Sequence, residues 1–148
     1  MNWRFSPSAL CVVVMLMAVA PSSATNDGAD DILGVWLTKD GEGQVEITRI
    51  GEVFEGTIVG GAGDVPRFDD KNPDPALRGR RLLGVEIMSE LAYDGDGKWT
   101  DGRIYDPNSG KTYKCRLELE DDDTLKVRGY VGTSWFGRTE RWTRKTDP

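Results

Sequence analysis

From Ile32 to Arg144 the chain is built of short segments in which apolar and polar side chains alternate, separated by clusters of Gly, Asp, Asn and Pro. A period of two is the signature of half-buried strands. Ile32–Thr38 is rich in branched and aromatic residues and is broken by Lys39-Asp40-Gly41-Glu42-Gly43, a run of turn chemistry. Gln44–Ile50 places Val45 and Ile47 on one face, Gly51-Glu52 reads as a two-residue hairpin connection, and Val53–Val59 returns with Phe54, Gly56 and Ile58 on one face. Leu82–Tyr93 is compatible with helix or strand, and the alternation of Val85-Glu86-Ile87 between predicted strands favours a strand. Asp94–Gly97 is a hairpin turn before Lys98–Tyr105, and Asp106-Pro107-Asn108-Ser109-Gly110 is a second turn. In Thr112–Glu120 the residues Tyr113, Cys115, Leu117 and Leu119 face one way, while Lys114, Arg116 and Glu118 face the other. Asp121–Asp123 turns the chain, Leu125-Val127-Gly129-Val131 alternates with Lys126-Arg128-Tyr130, and Arg138–Arg144 is a last strand.

The pattern predicts an all-β domain of about eight antiparallel strands in hairpin succession. Sheet edges need covering, and an up-and-down barrel removes them with short connections alone. A two-sheet sandwich is the alternative that the pattern leaves open. Gly56, Gly84, Gly102 and Gly129 suit a barrel, because strand glycines often mark its bends. One long irregular stretch, Gly60–Arg80, contains both acidic turns and basic residues, and loops of that length are often functional.

The N-terminus changes the reading of where the protein acts. Ala9–Ala20 is an uncharged apolar run behind the single basic Arg4, and it ends at Pro21 and the small residues Ser22-Ser23-Ala24. It is shorter than a membrane span and has the form of a signal peptide. Residues 1–24 are therefore expected to be cleaved, 25–31 to form a flexible lead-in, and 32–146 to form a single barrel domain. Export to the periplasm or beyond follows, with no stable membrane span after cleavage. Cys11 would leave with the leader, so Cys115 would have no partner for an internal disulfide. Cleavage would leave 18 basic and 25 acidic side chains, a net charge of −7. Such a charge argues against nucleic acid as a partner and against anionic lipid headgroups.

Catalytic chemistry is poorly represented. The chain has no histidine, which removes Ser-His-Asp and Cys-His nucleophiles and the commonest transition-metal ligand. Asp70, Asn72 and Asp74 have the spacing of a calcium loop, but Pro75 stands where its glycine belongs and Arg81 where its glutamate belongs. Asp94-Gly95-Asp96-Gly97-Lys98 is broken by the lysine. Asp69, Asp70 and Asp106 could pair as glycosidase carboxylates, but turn formation accounts for them better. No cofactor and no catalytic residue is assigned, and the chain is read as non-enzymatic, with an unrecognised enzyme as the weakest alternative.

Gly34-Val35-Trp36 at the first strand and Arg141-Trp142-Thr143-Arg144 at the last resemble the ends of lipocalin-like barrels. The resemblance implies that Trp36 plugs one barrel end beneath a late basic residue, Arg141 or Arg144, since a guanidinium stacks well on an indole. Together with Asn72-Pro73-Asp74-Pro75-Ala76-Leu77-Arg78, Leu82-Leu83-Gly84, Ile104-Tyr105-Asp106-Pro107, Gly110-Lys111-Thr112-Tyr113 and Leu125-Lys126-Val127-Arg128-Gly129, the ordered set resembles the bacterial domain of unknown function 2147 family. That family implies an exported, lipocalin-like barrel without a settled activity. Its frequent cysteine pair is missing here, in Gly51–Phe54 and in Gly132–Trp135.

Barrels of about eight strands either pack solid or hold one small ligand. The expected function is binding of a small, largely apolar molecule, with Phe54, Ile58, Val85, Ile87, Ile104, Tyr113, Leu117 and Val127 in the interior. Arg78, Arg80, Trp135 and Phe136 would form the rim, with the Gly60–Arg80 loop over one mouth. The alternative is a packed barrel that presents its loops, Trp135 and Phe136 in particular, to another envelope protein.

Overall fold

The computed structural model describes residues 27–63 and 67–146. The segment read as a signal peptide, with Cys11, lies outside the described residues. Eight strands follow one another: β1 (Gly34–Leu37), β2 (Gly43–Ile50), β3 (Val53–Gly61), β4 (Glu86–Gly95), β5 (Lys98–Asp106), β6 (Lys111–Asp121), β7 (Thr124–Tyr130) and β8 (Gly137–Arg144). Each pairs antiparallel with its neighbour in sequence order, and β1 pairs with β8, so the sheet closes into an up-and-down barrel. The sandwich alternative is thereby excluded.

Successive strands run in opposite directions, so the connections alternate between the two barrel ends. At one end lie the segment entering β1 and the turns β2–β3, β4–β5 and β6–β7. The other end carries the β1–β2, β5–β6 and β7–β8 turns and the long β3–β4 connection. β4 starts at Glu86, later than its alternation suggests, because Leu82–Val85 are bound into this connection: Val85 N–H donates to the Leu82 carbonyl, and Gly84 N–H to that of Ile58.

The first of these ends is closed. Trp36, Trp99, Phe54, Leu91, Leu117 and Leu125 are fully buried there, each burial worth roughly 1.5–3 kcal/mol. Phe54 meets Trp99 edge to face at 6.2 Å between ring centroids. Residues 27–33 form the floor rather than a flexible lead-in or the start of the strand. Ala29–Ile32 makes a 3-10 turn with Ala29 and Ile32 buried. Trp99 Nε1 donates to the Ala29 carbonyl at 3.2 Å and Trp36 Nε1 to that of Ile32 at 2.9 Å. A buried indole N–H needs an acceptor, and this segment supplies two.

Gly56 and Gly102 sit at register shifts, where the strands bend. Gly129 instead lies in regular ladder pairing between Cys115 and Arg138, and Gly84 precedes β4.

Candidate functional site

Above the floor the barrel is hollow. A cavity of about 930 Å³ opens at the end that carries the long connection. The ladder registers decide which side chains face it. On β7, Leu125, Val127 and Gly129 point inward, and they pair across with Trp142, Glu140 and Arg138 of β8. These three therefore form a column from the buried Trp142 through the half-buried Glu140 to the exposed Arg138 at the mouth. Trp142 Nε1 donates to Glu140 Oε2 at 3.3 Å, which holds the Glu140 carboxylate in the cavity lining. β1 is too short to reach the upper part of β8 and pairs only with Thr143 and Arg144. Thr38, Lys39 and Glu42 line the cavity beside Arg138 and Glu140.

Of the interior positions expected from the sequence, Ile58, Ile87, Ile104, Tyr113 and Val127 line the cavity. Phe54 and Leu117 do not, because they are packed into the core at the closed end, and Val85 is buried in the β3–β4 connection against β3. Val45, Trp142 and Glu140 join the lining. Glu140 could have been found by extending the period of two back from Trp142, since the register with Val127 gives it an inward place.

The expected rim is partly rearranged. Phe136 lines the mouth, and Trp135 projects beside it, 88% exposed. Arg78 and Arg80 are taken by the loop itself: Arg78 Nε donates to the Asn72 carbonyl at 2.8 Å, and Arg80 ion-pairs with Asp69 at 2.8 Å. Arg67, Arg81 and Arg138 line the cavity in their place.

Asp69 explains why the long connection holds its position. The carboxylate is fully buried and accepts from Tyr105 Oη at 2.5 Å, Asn72 Nδ2 at 2.8 Å and Arg80 Nε at 2.8 Å. Burial alone would raise its pKa, but the hydrogen bonds from Tyr105, Asn72 and Arg80, with the Arg80 charge, outweigh that and hold it below the ordinary carboxylate value. Burial and the bond to Asp69 push Tyr105 up to about 12. Asn72 Oδ1 accepts from Asp74 N–H, so two residues of the calcium-like spacing serve the loop's own folding. Asp106 is likewise engaged in its turn, accepting from Asn108 N–H at 2.9 Å and Ser109 Oγ at 2.7 Å.

At the closed end the Arg144 guanidinium lies over the Trp36 ring, 4.2 Å from its centroid. Arg141 is excluded from that role by strand alternation: it points outward and pairs with Glu120 at 2.9 Å.

A closed eight-stranded meander, floored at one end and hollow at the other, is a lipocalin-like barrel. The chain belongs to the family described as "Uncharacterized protein conserved in bacteria (DUF2147)", which it matches over residues 34–144, as its motifs suggest. Among solved structures it is similar to protein HP1028 from the human pathogen Helicobacter pylori, described as belonging to the lipocalin family. The TM-score is 0.72 at 25% sequence identity, over 78% of this chain and 84% of that chain. No curated protein matches the chain.

Proposed function

We propose that this barrel is a non-enzymatic carrier that binds a small, largely apolar molecule in its cavity, outside the cytoplasm. The cavity is the observation that carries the reading. Its volume of about 930 Å³ falls in the range of small-molecule sites, and its deep wall is formed by Val45, Ile58, Ile87, Ile104 and Val127. Glu140 stands beside this wall on β8, and the charged residues Lys39, Glu42, Arg67, Arg81, Asp106 and Arg138 line the cavity toward the open end. The ligand is thus an amphiphile: its apolar body lies on the Val and Ile wall, and its polar end lies toward the charged mouth. The lipocalin-like likeness supports a binding barrel, and the apolar run at residues 9–20 supports export.

Native mass spectrometry of protein gently isolated from its own cells, compared with the denatured mass, tests this reading. A bound adduct of small-molecule size is expected. A consistently bare mass, together with no uptake of fluorescent fatty-acid probes, would overturn it.

A further inference from the structure

The charge of the molecule is divided between its ends in a way that the overall balance hides. The strands carry eleven acidic and eleven basic side chains. Connections at the open end, residues 38–42, 62–63, 67–85, 107–110 and 131–136, carry five acidic and six basic side chains. At the closed end, residues 27–33, 51–52, 96–97 and 122–123 carry seven acidic side chains and no basic one. The chain leaves β8 at this same end, where the basic Lys145 follows Arg144. The net negative charge of the connections therefore sits at the closed end, with the barrel between it and the mouth. A barrel of this kind meets an anionic surface mouth first, since the closed end is repelled and screening weakens that repulsion with distance.

The mouth has the side chains such a meeting needs. Trp135, Phe136, Val131 and Leu83 are 88%, 78%, 65% and 63% exposed, and all belong to open-end connections. Exposed apolar groups clustered at one end of a small domain mark an interaction surface. Arg81 and Arg138 stand at the same mouth, and neither has an ion-pair partner among the described residues. Tryptophan and phenylalanine beside arginine suit the bilayer interface, where rings sit among headgroups and guanidinium groups meet phosphates.

We propose that the open end is a docking surface for an anionic phospholipid bilayer, with Trp135 and Phe136 entering the headgroup layer and Arg81 and Arg138 on the phosphates. The cavity mouth then lies against the bilayer, so that an apolar ligand passes between lipid and barrel without crossing water. The proposal rests on the position of the mouth and not on the identity of the ligand.

Co-sedimentation with phosphatidylglycerol-containing vesicles, against pure phosphatidylcholine vesicles, tests it. Wild-type protein is expected to sediment with the former and to be released by salt. Trp135→Ser should bind roughly tenfold more weakly or worse, having lost a large buried ring. Arg81→Gln and Arg138→Gln should each cost about fivefold, the worth of one cation near an anionic bilayer. Comparing variants with the same N-terminus separates the mouth from the apolar run at residues 9–20. Trp135 lies outside the cavity lining, so Trp135→Ser should keep the wild-type melting temperature and its affinity for a fluorescent fatty acid in vesicle-free buffer. That titration lets ligand carriage and docking fail independently. Equal wild-type binding to both vesicles, or to neither, would overturn the proposal. So would a Trp135→Ser variant that binds vesicles normally but loses a co-purifying envelope protein, which would assign the surface to a protein partner.

Discussion

Arg144 covers the indole of Trp36 and at the same time donates to three backbone carbonyls, those of Asp31, Leu33 and Asp122, at 2.7 to 2.8 Å. One side chain thereby joins the last strand, the first strand, the floor segment and the β6–β7 turn. Arg144→Ala should cost about 2 kcal/mol or more, the combined worth of a partly desolvated cation–π contact and charged hydrogen bonds. Arg144→Lys should recover little of it, because an ammonium cannot fork between separated carbonyls while lying flat on a ring. Urea unfolding of the two variants checks both statements.

Tyr105 and Asp69 make the fold pH-sensitive at both extremes. Asp69 has a folded pKa below its ordinary value, so its contribution is complete above the ordinary carboxylate range and is lost as pH falls through the folded value. Tyr105 is raised from 10.0 to about 12, so its contribution is intact below pH 10.0 and lost as pH rises through that window. Tyr105→Phe should cost about 1–3 kcal/mol at neutral pH by leaving a buried carboxylate one donor short. The variant should also show a flatter stability curve between pH 10.0 and about 12.

Gly129 supplies room to the cavity. A Cβ there would stand 3.6 Å from Ile104 and Tyr113, in ordinary contact, so a side chain can be added without moving the backbone. Gly129→Leu should fill the space, reduce uptake of a fatty-acid probe roughly tenfold or more, and change the stability by less than about 1 kcal/mol. A probe titration beside a melting curve reads both.

Gly102 is the opposite case. A Cβ there would lie 2.4 Å from Cδ2 of the fully buried Leu91 and 3.2 Å from the Ser89 carbonyl oxygen. Gly102→Ala should destabilise by about 1–3 kcal/mol through overpacking, measured as a shift in the urea midpoint without change of slope.

Cys115 is buried, and burial raises its thiol to about 12. The thiolate is the reactive form. Labelling by a thiol reagent at neutral pH should therefore proceed only as fast as the barrel opens, and should become rapid in denaturant.

What the sequence alone determined follows from local chemistry. Strands alternate because one face is buried, and Gly, Asp and Pro punctuate them because those residues suit turns. The number of strands, their hairpin order and the family motifs were therefore legible. The alternation also carried the inward places of Ile58, Ile87, Ile104, Tyr113 and Val127. Tertiary structure decided the rest, because it depends on distances between residues far apart in the chain. Only closure of β1 on β8 shows that Arg144, and not Arg141, covers Trp36, since one residue of register exchanges inside for outside. Only the folded loop shows Arg80 spent on Asp69 and Arg81 left at the mouth. The acidic turns were visible as charges, but their gathering at a single end appeared once the barrel had sorted its connections into two sets.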